Sequence, residues 1–168
     1  MSSSVKLQPH IAYMVGWWHL LKYSKGGIGI RGTHSKEFID WYVKFFLAHD
    51  EYEIIKVGNG YIIRGTTKGR GMIKRIERER IRKFRFLNEF SGAYLAGLYE
   101  ASRELANLKK IELQDNEILG DTQDFWLLNN LGMYPEIVRK QGRWIIIKIN
   151  RYSVFQKLIQ PYLSYFSK

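Results

Sequence analysis

The segment Tyr94-Leu-Ala-Gly-Leu-Tyr-Glu-Ala-Ser102 lies near the middle of the chain and decides the interpretation of the fold. Its start repeats an earlier segment, since Ala12-Tyr-Met-Val-Gly16 matches Ala93-Tyr-Leu-Ala-Gly97 at an offset of 81 (97 − 16). In both copies an alanine and a glycine stand four positions apart, which places them on one face of a helix. Small residues on a helix face let two backbones approach closely. We therefore predict helices over Pro9–Tyr23 and Phe90–Leu105 that cross at these glycines.

A second pair of segments repeats at nearly the same spacing. Tyr52–Arg64 and Pro135–Ile147 both contain Glu-Ile, a β-branched residue, a basic residue, a Gly-containing turn, an aromatic residue and two isoleucines, at an offset of 83 (135 − 52). β-Branched runs on either side of a short turn predict a β-hairpin. Two landmarks that recur in the same order indicate an internal duplication. We assign residues 1–88 to the first repeat and residues 89–168 to the second.

Shorter patterns predict the remaining elements of each repeat. The first repeat is expected to contain a strand at Gly27–Arg31, a helix at Ser35–Ala48 and a helix at Arg70–Phe86. The second is expected to contain strands near Lys109–Leu113 and Ile118, a helix at Phe125–Leu131 after the capping box Asp121–Asp124, a hairpin at Glu136–Arg151 and a helix at Ser153–Phe166. Pro161 should kink or break that last helix, because proline cannot donate a backbone hydrogen bond.

The segment 94–102 resembles the LAGLIDADG motif, and the order of elements resembles the αββαββα repeat of LAGLIDADG homing endonucleases, doubled in one chain. Arg80-Ile-Arg82 leading through Phe86, and Trp126–Gly132, are similar to single-chain archaeal members of that family. The resemblance covers nearly all of the chain. It implies an α+β fold with pseudo-two-fold symmetry, in which two antiparallel sheets form a saddle whose concave face lies on DNA.

The chain departs from this family at the metal-binding acids. The resemblance places the acid near the end of each motif at Leu21 and Ser102. Leucine offers no ligand, and a serine hydroxyl does not neutralise the charge of a divalent metal. Glu100 and Glu104 are weak candidate ligands from the second repeat, whereas the first 36 residues contain no Asp or Glu. We therefore expect no catalytic residue, no bound metal and no other cofactor.

The basic residues favour a polyanionic partner. The net charge is +11, and residues 64–85 hold ten Lys+Arg against two Asp+Glu. The candidate nucleic-acid-binding residues of this segment are Arg64, Lys68, Arg70, Lys74, Arg75, Arg78, Arg82 and Lys83. The hairpins add Lys56, Arg139 and Lys148. A solvent-facing role for the helix charges stays open, since Met72, Ile73, Ile76 and Phe84 form a partial apolar stripe that would dock the helix. Strand alternation predicts that Ile145, Ile147 and Ile149 pack against helices while Trp144, Ile146, Lys148 and Asn150 face the groove.

These observations predict a catalytically inactive nucleic-acid-binding protein derived from a homing endonuclease, a regulator or architectural factor with DNA as the expected partner. An RNA-binding intron maturase, a weakly active endonuclease and a protein-interaction domain stay open as alternatives. The chain has no cysteine, and its apolar stretch Ile11–Leu21 is interrupted by His19 and too short to span a bilayer. We expect a soluble, cytoplasmic monomer with internal pseudo-symmetry and no membrane association.

Overall fold

The computed structural model describes residues 7–22, 28–31, 37–38, 40–41, 44, 52–57, 60–65 and 67–167. The first half contains α1 (Pro9–Leu21), β1 (Ile28–Arg31), β2 (Tyr52–Val57), β3 (Gly60–Gly65), α2 (Thr67–Arg78) and α3 (Arg80–Lys83). The second half contains α4 (Glu89–Lys109), β4 (Glu117–Gly120), α5 (Thr122–Asn130), β5 (Pro135–Gln141), β6 (Trp144–Ile149) and α6 (Tyr152–Ile159). Residues 37, 38, 40, 41 and 44 are helical, and the rest of the predicted Ser35–Ala48 helix lies outside the described residues.

The two halves carry sheets of the same topology. Strand β3 pairs antiparallel with both β1 and β2, and β6 pairs in the same way with β4 and β5. Their registers correspond next to the turns, because Val57 lies opposite Gly60 and Gln141 lies opposite Trp144. The second sheet differs by an irregularity between Ile137 and Arg139. The predicted α+β fold with two antiparallel sheets is confirmed.

Helices α1 and α4 cross at the two repeated glycines, as predicted. A Cβ atom at Gly16 would lie 2.6 Å from the backbone nitrogen of Leu98, and a Cβ atom at Gly97 would collide with the carbonyl oxygen of Tyr13. Ala12 and Ala93 at the same crossing are fully buried. Backbone therefore packs directly on backbone, which no larger residue at either glycine would permit.

The second motif helix is longer than the sequence patterns predict. Helix α4 begins after Asn88, whose side chain accepts hydrogen bonds from Phe90 N and Ser91 N, and it continues to Lys109. Leu105 and Ala106 are buried and extend its contact with the core. Lys110 then ends the helix in the left-handed conformation at φ 56°. The predicted strand at Lys109–Leu113 is wrong for this reason, whereas the strand near Ile118 is confirmed.

Most of the remaining predicted boundaries agree with the structure to within a few residues. The predicted helix Arg70–Phe86 is instead divided at Glu79 into α2 and α3, and the last helix stops seven residues (166 − 159) before the predicted end at Phe166. The capping box is present, with Asp124 N donating to Asp121 Oδ1 at 3.0 Å and Asp121 N donating to Asp124 Oδ2 at 2.9 Å. The last helix ends at Ile159 and continues as a 3₁₀ turn, Gln160–Tyr162, which contains Pro161. No helix in the described part of the chain is long and apolar enough to cross a membrane.

The crossing predicts the effect of overpacking it. Gly97→Leu should lower the free energy of unfolding by roughly 3 kcal/mol or more, because the new side chain forces two backbones apart. Urea denaturation measures this change. The control is Asn107→Leu, which adds leucine at an exposed position of the same helix. Equal midpoints for Gly97→Leu and the parent protein would place the tight contact elsewhere.

Candidate functional site

The two positions at which the resemblance places metal-binding acids are buried. Leu21, at the end of α1, is 6 % exposed and packs in the hydrophobic cluster. The hydroxyl of the fully buried Ser102 donates to Leu98 O at 2.7 Å and accepts from Leu119 N at 3.0 Å. Ser102 therefore joins α4 to the edge of β4. Neither residue provides a carboxylate for a divalent cation, so the family's metals do not fit these positions.

The weak candidate ligand Glu100 has a structural role. Its Oε1 accepts hydrogen bonds from Tyr13 OH at 2.5 Å and from Ser164 N at 2.9 Å, and its Oε2 accepts one from Ser164 Oγ at 3.2 Å. The carboxylate thus links α1, α4 and the C-terminal segment. Burial, followed by the charge of Glu100, raises the pKa of the Tyr13 phenol, so this hydroxyl stays a neutral donor. Glu104 is partly buried on the same helix.

A buried polar cluster that the sequence analysis did not predict joins the two halves around Asp124. The Oδ1 atom of Asp124 accepts from Arg80 Nε at 2.9 Å and from Tyr94 OH at 2.6 Å. Its Oδ2 atom lies 2.9 Å from His19 Nε2. Burial alone would raise the pKa of Asp124, but His19, Arg80 and Tyr94 hold it well below its usual range. Asp124 is therefore an anion with a full set of donors.

His19 supplies the cation at the centre of this cluster. Its second ring nitrogen, Nδ1, lies 2.6 Å from Glu77 Oε2, an atom that also accepts from Lys22 Nζ at 2.5 Å. Since both ring nitrogens face carboxylates, both must carry protons, as only the imidazolium form does. Burial lowers the pKa of His19, but the charge of Asp124 and the hydrogen bonds to Asp124 and Glu77 outweigh it and raise the pKa.

The same cluster has residue types that bind metals. Ligand atoms of His19, Asp121 and Asp124 lie within 4.8 Å of one another. Arg80 occupies this position instead, because its guanidinium bonds to Asp124 at 2.9 Å and to both carboxylate oxygens of Asp121. Arg80 is 3 % exposed, although it belongs to the strongly basic segment. We interpret the cluster as an ionic lock between the halves and not as a metal centre.

The remaining basic candidates lie on two different surfaces. Lys56 on β2 and Arg139 on β5 are exposed, and Lys148 on β6 is half-buried. Exposed residues of the basic segment are Lys74, Arg75, Arg78, Arg82 and Lys83, while the side chains of Arg64, Lys68 and Arg70 lie outside the described residues. The predicted docking of this segment by its apolar residues is confirmed for Ile73, Ile76 and Phe84, which are buried.

The prediction for the face of β6 is wrong at two positions. Trp144 is 8 % exposed and Ile146 is fully buried, so neither side chain faces an open groove. The ring of Trp144 packs edge-on against His19 with centroids 5.1 Å apart, which covers the ionic cluster. Sequence alternation alone missed this contact because His19 is 125 positions away (144 − 19).

Comparisons with known proteins agree with this architecture. No family profile matches the sequence, and no curated protein matches it. Among solved structures, mesophilic variants of the homing endonuclease I-DmoI align with a TM-score of 0.61 and 19 % identity over 93 % of this chain and 96 % of that chain. I-DmoI in complex with DNA and Mn aligns with 0.57 and 17 % over 93 % and 97 %, and I-DmoI with DNA and Ca aligns with 0.56 and 17 % over 93 % and 90 %. This chain therefore has the LAGLIDADG homing endonuclease fold.

The ionic cluster predicts how stability depends on pH. The raised pKa of His19 contributes stability that is present below the ordinary value of 6.5 and is lost as the pH rises through the folded pKa. The lowered pKa values of Glu77 and Asp124 contribute stability that is lost as the pH falls below their ordinary values of 4.5 and 3.8. The free energy of unfolding should therefore be greatest between these limits and decline on both sides.

His19→Gln tests the alkaline side of this profile. At pH 6 the substitution should cost about 3 kcal/mol, because the buried carboxylate of Asp124 and the partly buried carboxylate of Glu77 lose their shared cation. The difference from the parent should narrow at higher pH, where the parent's own imidazole loses its proton. Denaturation at a series of pH values measures both effects. His10→Gln is the control: burial lowers the pKa of His10, so its removal should not abolish a loss of stability at alkaline pH. If the free energy of unfolding of His19→Gln falls at alkaline pH as much as that of the parent, another group causes the fall.

Proposed function

We propose that this protein is a degenerate relative of homing endonucleases that binds duplex DNA with its two sheets and does not cut it. The observation that carries the proposal is the contrast between the two parts of the fold. The glycine crossing and the matching sheets are kept, whereas Leu21 and Ser102 stand at the metal-binding positions. A role as a regulator or architectural factor follows from binding without strand cleavage.

Charge and symmetry support DNA as the partner. Lys56 and Arg139 are exposed on the first strands of the two hairpins, β2 and β5. The position in the second hairpin that matches Lys56 is also basic and exposed, because Lys56 lies opposite Tyr61 and Lys140 lies opposite Ile145, each one residue pair from the turn. Basic side chains repeated about a pseudo-two-fold axis suit the two halves of a duplex site, whose phosphates are arranged in the same way. Two of the I-DmoI structures with which the fold aligns are complexes with DNA. One chain supplies both sheets, so binding does not need a second copy.

The absence of cleavage follows from the chemistry of Leu21 and Ser102. Metal-assisted phosphate hydrolysis needs cations held between protein carboxylates and the scissile oxygens. The Ser102 hydroxyl is committed to Leu98 and Leu119, and Glu100 is committed to Tyr13 and Ser164. Cytoplasmic localisation, which we expect from the sequence, is also part of this proposal.

We predict no strand cleavage in Mg²⁺ or Mn²⁺. The test incubates the protein with its best-binding duplex, chosen from a random pool, and separates the products on a denaturing gel. The double variant Leu21→Asp, Ser102→Asp restores an acid to both positions and should gain metal-dependent cleavage at one fixed site, once its binding has been verified. Double-strand cleavage by the parent protein, lost in Glu100→Gln or Glu104→Gln, would contradict the prediction.

We also predict that the hairpin cations contribute to duplex binding. Lys56→Gln with Arg139→Gln should weaken the affinity and reduce the slope of log affinity against log salt by up to about 1.8, which is about 0.9 for each lost phosphate contact. Lys157→Gln, which removes an exposed charge from α6, serves as the single-charge control. If the slope of the double variant equals that of the parent, the sheets do not bind the duplex.

A further inference from the structure

An open depression lies between the basic segment and helix α5. Its volume is about 560 Å³, within the range of small-molecule sites in proteins. One wall contains Arg78, Arg82 and Arg85, and the other contains Gln123 and Asn130. Glu79 also lines it and is paired with Arg82 at 2.9 Å. Because Glu79 offsets the charge of Arg82, the charges of Arg78 and Arg85 make the depression positive overall.

Two exposed aromatic residues, Trp126 and Phe86, are near neighbours, along the chain, of residues that line this depression. Trp126 is 54 % exposed and stands three residues after Gln123 and four before Asn130, so all three share one face of α5. Phe86 is 61 % exposed, and the Arg85 guanidinium carbon lies 4.7 Å from the centroid of its ring. Both side chains are therefore accessible to a ligand.

The depression faces away from the sheet surface. The buried side chains of α5 are Asp124, Leu127 and Leu128, and this helix packs against β4, β5 and α3. Gln123, Trp126 and Asn130 lie on the opposite side of the helix. A ligand in the depression would therefore not compete with a duplex held against the sheets.

We propose that this depression binds a single-stranded segment of nucleic acid. Arg78 and Arg85 bind its phosphates, because guanidinium groups match phosphate oxygens in geometry and charge. Trp126 and Phe86 stack on unpaired bases, and the amides of Gln123 and Asn130 hydrogen-bond to base edges. A duplex is a poorer ligand because its bases are already stacked. This site is independent of the proposed duplex binding and stands if the sheets bind nothing.

The test titrates the full chain with a fluorescent oligouridylate of 12 nucleotides at two salt concentrations and measures the binding affinity. Trp126→Ala should weaken binding about tenfold, within the range for loss of one stacked base, and Trp126→Phe should restore most of it. Arg78→Gln with Arg85→Gln should reduce the salt slope by up to about 1.4, which is about 0.7 for each contact with a single strand. Tyr134→Ala is the matched control, since Tyr134 is a 64 % exposed aromatic residue that does not line the depression and whose ring faces Arg151 at 5.5 Å.

Three results would overturn the proposal. Trp126→Ala could bind as tightly as the parent, Tyr134→Ala could lose as much affinity, or polyglutamate could compete as well as unlabelled oligouridylate, which would assign the surface to acidic proteins. The hairpin double variant Lys56→Gln, Arg139→Gln separates this site from duplex binding. It should keep its affinity for oligouridylate whatever happens to its affinity for duplex DNA.

Discussion

The contact of α1 with α4 is made by backbone atoms, and the relative position of the two sheets depends on it. Gly16 and Gly97 allow the carbonyl of Tyr13 and the amide of Leu98 to come within reach of the facing helix. Each helix belongs to a different half, so the distance between their axes fixes the distance between the sheets. In a close-packed protein interior, the addition of a single methyl group displaces the surrounding residues. The crossing is therefore the constraint that a two-sided binding surface needs.

Polar groups support the crossing on both sides, in pseudo-symmetric but chemically different ways. Tyr13 bonds to Glu100 on one side, and its counterpart Tyr94 bonds to Asp124 on the other. His19 stands at the position that matches Glu100 at the offset of 81 (100 − 19), so one motif has a basic residue where the other has an acidic one. The cation at His19 is compensated by Glu77 and Asp124. Buried charges persist only when each has its partners, which explains why Arg80 completes the set.

The sequence predicted the parts of the fold that repeat or follow a short period. The glycine crossing and both hairpins were recognised because each appears twice. The ionic lock was not, because Arg80 and Asp124 are 44 positions apart and His19 and Asp124 are 105 apart, so no local pattern relates them. The capping box was recognised, but the burial of Asp124 that demands further donors is visible only in the structure. The extent of α4 beyond Leu105 depended on tertiary packing, which overrides weak strand propensity.

The proposed loss of cutting chemistry and retention of a binding surface place different demands on the same two helices. Their crossing must stay intact, whereas in this proposal Leu21 and Ser102 occupy the positions of metal-binding acids. In the proposals above, the sheets bind duplex DNA and α5 helps to bind a single strand, so the two proposed surfaces lie on different elements of the fold.

Hydroxyl-radical footprinting of a duplex selected from a random pool, in Mg²⁺, tests the central claim most directly. Two protected tracts of similar length, related by symmetry about an uncut centre, are the predicted result, since each sheet covers one half of the site. A single protected tract, or strand breaks at the centre, would contradict the account.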